Sequence, residues 1–252
     1  MTVSFRQRLR DGTPLIGALL QMPLPEVAEI YAEAGYDWLF IDLEHSPMDA
    51  RAALGLLAAV DGRVPCVVRV PANDEAAIKK ALDIGATGVI VPLVNDAAAA
   101  RLAVGRCKYP PAGIRSVGVT RAQRFGFTLE AYMDAANDDI AVIVQIEHAE
   151  AVRNIDAILD VPGIDAVFVG PFDLSGSMGK PGAIDDPEVQ AAITEVTRAC
   201  ERRGVARGVY AHTPAHARRY LAEGYRMIGL CTDYILLARA ASAALAETRA
   251  QD

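Results

Sequence analysis

141-AVIVQIEHAEAVRNIDAILDVPGIDAVFVGPFD-173 is the stretch whose reading decides the fold. Two short apolar runs, AVIVQI (141–146) and AVFVG (166–170), flank AEAVRNIDAILD, whose apolar residues recur at helical spacing. Strands this continuously apolar suit a parallel sheet covered on both faces. Each run also leads to an acid: Glu147 directly after the first, Asp173 three residues after the second.

The same alternation extends in both directions. Six further strand candidates are LIGALL (15–20), WLFIDL (38–43), CVVRV (66–70), GVIVP (88–92), VARGVY (205–210) and RMIGLC (226–231). Helical stretches such as PEVAEIYAEAG, AAIKKALDIGA, DAAAARLAVGRC and DPEVQAAITEVTRACERRG separate them, several closing on a Gly suited to a C-cap. Eight strand-then-helix units predict an α/β fold, a closed (β/α)8 TIM barrel, as one domain over residues 1–252. An open doubly wound sheet is the alternative, but the first strand runs into QMPLP rather than a GxGxxG turn. Residues 107–140 form a long irregular insertion between the fourth and fifth strands, a kind of loop that often carries function.

Composition narrows the partners. The 252 residues are 52% hydrophobic with a formal net charge of −7, and no basic face offers itself to nucleic acid. No apolar run reaches the roughly 18 residues that span a bilayer, and MTVSFRQRLRDGTP lacks a signal-peptide core, so a soluble cytoplasmic protein is expected. The four cysteines, Cys66, Cys107, Cys200 and Cys231, have neither zinc nor disulfide spacing. Lys79, Lys80, Lys108 and Lys180 are the only lysines and none lies in an apolar strand run, which disfavours Schiff-base chemistry.

Barrels of this kind place their chemistry at the C-terminal strand ends. There the sequence sets Gln21, Asp42, Glu44, His45, Arg69, Pro92, Gln145, Glu147, Asp173, Tyr210 and His212. Glu147 and Asp173 end consecutive strands, so a parallel barrel puts two carboxylates side by side, and a hard divalent cation would relieve their repulsion. The competing reading is a helix cap for Asp173 and a surface acid for Glu147. Zinc lacks its usual His and Cys ligands. An imidazole at His45 could shuttle a proton, or simply be exposed. Arg69 interrupts an apolar strand and needs an anionic partner, either Asp42 or a substrate.

Beyond spacing, AGYDWLFIDLEHSPMD (34–49), KKALDIGATGVIVPLV (79–94), YPPAGIRSVG (109–118), the 144–179 stretch ending GPFDLSGSMG, and DPEVQAAI resemble the metal-dependent (class II) pyruvate aldolases. That family includes the 4-hydroxy-2-oxoheptanedioate, 2-dehydro-3-deoxyglucarate and 2-keto-3-deoxy-L-rhamnonate aldolases. The resemblance runs from about residue 12 to 240. It implies reversible cleavage of a 4-hydroxy-2-oxo acid to pyruvate or hydroxypyruvate and an aldehyde, through an enolate held at a divalent ion, Mg²⁺ or Mn²⁺ with Co²⁺ a further candidate. It implies Glu147 and Asp173 as metal ligands, His45 as base, Arg69 as the enolate-stabilising group, and Gln145 with the backbone at Phe172 and Asp173 as pyruvyl-binding groups. Asp42 would support Arg69. Asp83 would raise the basicity of the histidine from a neighbouring subunit of a homo-oligomer, a hexamer of paired trimers. Two positions depart from the pattern: Phe172 stands where Ala is common, and His148 follows the glutamate; both bear on the aldehyde end. The rivals are an acyl-CoA lyase of the citryl or malyl type, for which no basic patch is seen, and a non-catalytic 2-oxo-acid-binding barrel.

Overall fold

A computed structural model describes residues 3–250. Eight parallel strands follow one another around a closed barrel: β1 (Leu15–Leu20), β2 (Trp38–Asp42), β3 (Cys66–Arg69), β4 (Gly88–Val91), β5 (Ala141–Ile146), β6 (Ala166–Val169), β7 (Ala206–Ala211) and β8 (Met227–Thr232). Strand β1 pairs with both β2 and β8, which seals the sheet. The (β/α)8 barrel is the fold. All eight expected strands form, their ends moved by one residue at most.

The helices are α1 (Phe5–Arg10), α2 (Pro25–Glu33), α3 (Ala50–Val60), α4 (Glu75–Asp83), α5 (Ala97–Cys107), α6 (Leu129–Asp139), α7 (Ala149–Arg153), α8 (Ile155–Leu159), α9 (Pro171–Ser177), α10 (Pro187–Arg203), α11 (Pro214–Ala222) and α12 (Asp233–Arg249). Side-chain oxygens of Asp49, Asp74, Asp96, Asp186 and Thr213 accept first-turn N–H groups and fix where five of them start. Gly204 ends α10 in the left-handed conformation, φ 64°. Among the described residues no helix is long and apolar enough to cross a membrane.

Two features differ from the sequence reading. The AEAVRNIDAILD helix breaks at Asn154 (φ −100°, ψ 9°), whose amide donates to the Asn95 carbonyl at 2.9 Å instead of facing solvent. The other is α1, an unforeseen short helix beneath the barrel. Its Phe5 and Leu9 pack with Leu15, Trp38, Phe40 and Phe168 inside the strand ring. The rings form a column, with centroids 5.9 Å apart for Phe5–Trp38, 5.7 Å for Trp38–Phe40 and 5.4 Å for Phe40–Phe168. Gly17 makes room for it, because a Cβ there would overlap the Trp38 indole. Arg6 then closes the N-terminal end, donating to Asp165 Oδ1 and to the Asp138 carbonyl, both at 2.8 Å. With that end plugged, the opening lies at the other.

Candidate active site

The strand ends bring most of the singled-out residues together. Strands β5 and β6 pair with Ile146 opposite Val169, so their continuations, Glu147 and Gly170, emerge side by side. A Cβ on Gly170 would stand 3.0 Å from Glu147 Cβ and 3.2 Å from its Oε2, so only glycine fits beside the carboxylate without displacing it. Glu147 is 4% exposed and is no surface acid. Its Oε1 accepts the Leu93 N–H at 2.8 Å and its Oε2 accepts from Gln145 Nε2. Leu93 adopts φ 52° to deliver that N–H, a left-handed conformation costly for a leucine. Burial pushes the Glu147 carboxyl above the usual carboxylate range, and neighbouring Asp173 pushes the same way; the Leu93 and Gln145 bonds oppose them.

Asp173 lies in the first turn of α9. Gly170 occupies the cap position and no side chain caps that helix, so the cap reading of Asp173 fails. Beside the acids, Gln145 Oε1 is buried without a hydrogen-bond partner. Two oxygen donors, a desolvated carboxylate and an unsatisfied amide oxygen fit a hard divalent cation with open positions. Among the described residues no three His, Cys, Asp or Glu side chains converge as a metal cluster, so further ligands would come from water and substrate.

Across the opening, Asp42 is fully buried and takes Arg69 as a fork, Nε to Oδ1 at 2.9 Å and Nη2 to Oδ2 at 2.8 Å. Gln21 Nε2 adds a bond to Oδ2 at 2.8 Å. Burial works to raise the Asp42 carboxyl, but Arg69, Gln21 and the His45 N–H outweigh it and hold it below the ordinary range. The bland partner for Arg69 is therefore real, yet the same side chain also lines the cavity with His45, Gln145 and Asp173. Glu44, noted from sequence only as a rim residue, stands 3.2 Å from Arg69 Nη1 and 3.5 Å from His45 Nε2. Its Oε2 is buried without a hydrogen bond, and burial pushes its carboxyl up, against Arg69 and with help from Glu147. The clue was its place beside Asp42 in IDLEHSP.

The cavity itself measures about 300 Å³ and is lined also by Phe172, Tyr210 and His212. His148 is not on it; its Nδ1 accepts the Glu150 N–H at 3.1 Å and caps α7. Asp83 is not on it either. At the C-terminus of α4, its Oδ1 accepts from Arg115 Nη2 at 3.1 Å. A desolvated lysine does exist: Lys108 donates to the carbonyls of Asn137 and Ile140, each at 2.8 Å, and burial pulls it down to about 8. Ile140 precedes β5, so this lysine sits at the plugged end, away from the acids. A larger cavity of about 710 Å³ opens near α3 and residues 121–127, where Asp61 and Arg121 pair with each other at 3.3 Å. It lacks converging acids.

Comparison with known proteins fits this geometry. The profile of the HpcH/HpaI aldolase/citrate lyase family matches residues 17–240. A 4-hydroxy-2-oxo-heptane-1,7-dioate aldolase of Escherichia coli is 43% identical over 100% of this chain and 97% of its own. A hydroxypyruvate/pyruvate aldolase of Pseudomonas aeruginosa is 42% identical over 93% of this chain and 88% of its own. A HpcH/HpaI aldolase/citrate lyase family protein of Burkholderia cenocepacia J2315, known by crystal structure, superposes with a TM-score of 0.92 at 40% identity, covering 97% of this chain and 98% of that one.

Proposed function

Because the chain belongs to the HpcH/HpaI aldolase/citrate lyase family, we propose that it is a divalent-metal-dependent aldolase. It cleaves a 4-hydroxy-2-oxo acid reversibly to pyruvate or hydroxypyruvate and an aldehyde. The observation that carries this is the buried Glu147 carboxylate, raised by desolvation beside Asp173, with Gln145 Oε1 unsatisfied next to it. Glu147 and Asp173 would hold the ion, Mg²⁺ or Mn²⁺. The ion, when bound, supplies Lewis-acid polarisation of the 2-oxo group.

The chain's own residues do the rest. Gln145 orients the 2-oxo acid. His45, directly or through one water, removes the proton from the C4 hydroxyl. The C3–C4 bond breaks, its electron pair passes into the enolate of pyruvate, and C4 leaves as the aldehyde. Arg69, held rigid by its fork on Asp42, stabilises the enolate charge without reorganising. Return of a proton to C3 completes pyruvate. An acyl-CoA lyase would need cations for the CoA phosphates, and Arg69 is the one Arg or Lys among the residues that line the cavity. The test is pyruvate release after exhaustive chelation: activity vanishes and returns with Mn²⁺. Full activity without metal would refute the proposal.

We also infer a homo-oligomer, with the hexamer the state expected and Asp83 serving a neighbouring copy's His45. Support comes from the surface around it. Ile114, Val117, Val119, Phe125 and Phe127 are exposed along the 108–128 segment that holds Asp83, Phe127 at 91%. On α12 only Asp233 is buried, with Leu237 and Leu245 exposed. Apolar surface of this kind marks association. Mixing Asp83→Ala and His45→Ala subunits would restore part of the activity that each lacks; no recovery after subunit exchange, seen as mixed oligomers on native mass spectrometry, would refute the shared site. Four buried free thiols support a reducing, cytoplasmic setting.

A further inference from the structure

The cavity has two chemically different halves. One holds Asp173, Gln145, Arg69 and His45, with Glu147 hydrogen-bonded to Gln145, and these the reading above uses. The other lies past Phe172, against the ends of β7 and β8, and the mechanism leaves it without a role. There the His212 imidazole stands between two rings, 5.0 Å from Phe172 at 73° and 4.6 Å from Tyr210 at 89°. Its Nε2 is buried with no hydrogen-bond partner. The Tyr210 hydroxyl bonds Thr232 Oγ1 at 2.9 Å and not the imidazole. Burial, with His216 and Arg239 adding to it, holds the imidazole below the ordinary histidine range, so the ring is neutral at neutral pH. A buried polar atom left unpaired is costly, and a ligand that pairs it recovers that cost.

Charge says what kind of ligand. Among the cavity-lining residues Arg69 is the one Arg or Lys, and its guanidinium is already forked onto Asp42 and paired with Glu44. An aldehyde ending in a carboxylate would bring a second anion to a half whose lining holds no Arg or Lys of its own, Arg239 donating instead to the His212 carbonyl at 3.0 Å, and burying an unpaired charge is more costly than burying a hydroxyl. A hydroxyl both donates and accepts, so it pairs with Nε2 in either tautomer of a neutral imidazole. The volume of about 300 Å³ is at the small end for ligand sites and suits a short acceptor beside pyruvate.

We propose that His212 is the specificity-determining residue of the aldehyde half: its Nε2 hydrogen-bonds the hydroxyl of a short, uncharged hydroxyaldehyde seated against Phe172 and Tyr210, and carboxylate-ending aldehydes are disfavoured. This rests on the aldolase reading. The test compares glycolaldehyde with glyoxylate, and glyceraldehyde with succinic semialdehyde, as acceptors for pyruvate with Mn²⁺ present. The hydroxyaldehyde of each pair should be favoured at least about tenfold in kcat/KM. His212→Leu should raise the KM for the hydroxyaldehyde about tenfold while the KM for pyruvate moves less than about twofold. His212→Gln, which keeps an amide at similar reach, should recover most of the loss and serves if the leucine variant misfolds.

Preference for the carboxylate aldehydes, or equal rises in both KM values, overturns the proposal. So does an acceptor KM indifferent to both substitutions. Exchange of the pyruvate methyl protons into D₂O, measured on the unaltered protein with Mn²⁺ and no aldehyde, separates the two levels. Its absence removes the aldolase reading and this inference together. Exchange with no His212 effect on the acceptor removes this inference alone.

Discussion

At the plugged end of the barrel Arg6 is 7% exposed and has Asp165 Oδ1 at 2.8 Å, while Asp165 Oδ2 takes the Val142 N–H at 3.0 Å. At the open end Glu147 is 4% exposed, yet Asp173 repels it and Gln145 Oε1 beside it has no partner. Both ends bury charge to the same extent. The plugged end gives its buried charges partners within the chain, Arg6 on Asp165 and Lys108 on two carbonyls, as a buried ion must have if it is to be tolerated. The open end leaves Gln145 Oε1 and His212 Nε2 unsatisfied, atoms whose partners would arrive with ligand, and Glu44 Oε2 has its ion pair with Arg69 and no hydrogen bond.

The largest effect that would test this contrast is loss of either acid. Glu147→Ala or Asp173→Ala should lower metal-dependent pyruvate release by about 10³-fold or more, the equivalent of several kcal/mol of charge stabilisation. Thermal unfolding should change little, because neither side chain supports the fold through an internal ion pair. Activity retained within about tenfold would break the assignment of this end to catalysis.

Arg69 straddles the distinction and so sharpens it. Arg69→Ala should lower both kcat/KM and stability, since Asp42 would be a fully buried carboxylate without its counter-charge, a loss of about 3–5 kcal/mol in urea unfolding. Arg69→Lys keeps a charge but loses the fork and should fall between. At the plugged end, Arg6→Met should cost about 1–3 kcal/mol of stability, because Asp165 keeps Arg10 and the Val142 N–H. Its KM for pyruvate and kcat should match the unaltered protein. A shifted KM would mean that the two ends are mechanically coupled.

How far the sequence reads this division differs by element. The strands were legible to within a residue because near-continuous Val, Ile and Leu runs have few alternatives at that length. Helix α1 was not: FRQRLR carries two apolar residues among charges, and only the barrel floor that receives Phe5 and Leu9 makes them a plug. In the site, Glu147 and Asp173 were visible because an acid after a buried strand needs a cause, and Asp42 was visible as the partner of Arg69. The left-handed turn of Leu93 and the unpaired Nε2 of His212 were not, since each depends on backbone or ring positions drawn from separate elements. Asp83 came from family resemblance alone, and within one chain it meets Arg115 instead of His45.

The smallest effect tests the Asp42 fork by proton linkage. The folded Asp42 carboxyl lies below its ordinary value, chiefly because Arg69 outweighs burial, whereas the unfolded chain regains a pKa near about 3.9. Between those two values the unfolded state binds a proton that the folded state does not, so stability rises with pH across that window. The contribution is complete above the unfolded value and disappears as pH falls through the folded one. Glu147 and Glu44, both raised, slope the other way, because their folded forms keep protons that the unfolded chain has released. The total acid limb therefore mixes opposite signs, and only a difference curve isolates Asp42. Subtracting the urea stability of Asp42→Asn from that of the unaltered protein at each pH should leave a curve that rises with pH through the acid range, by less than about one proton in slope. A flat difference would mean that the guanidinium does not bias this carboxyl, and that the open end holds Arg69 by some contact other than the fork.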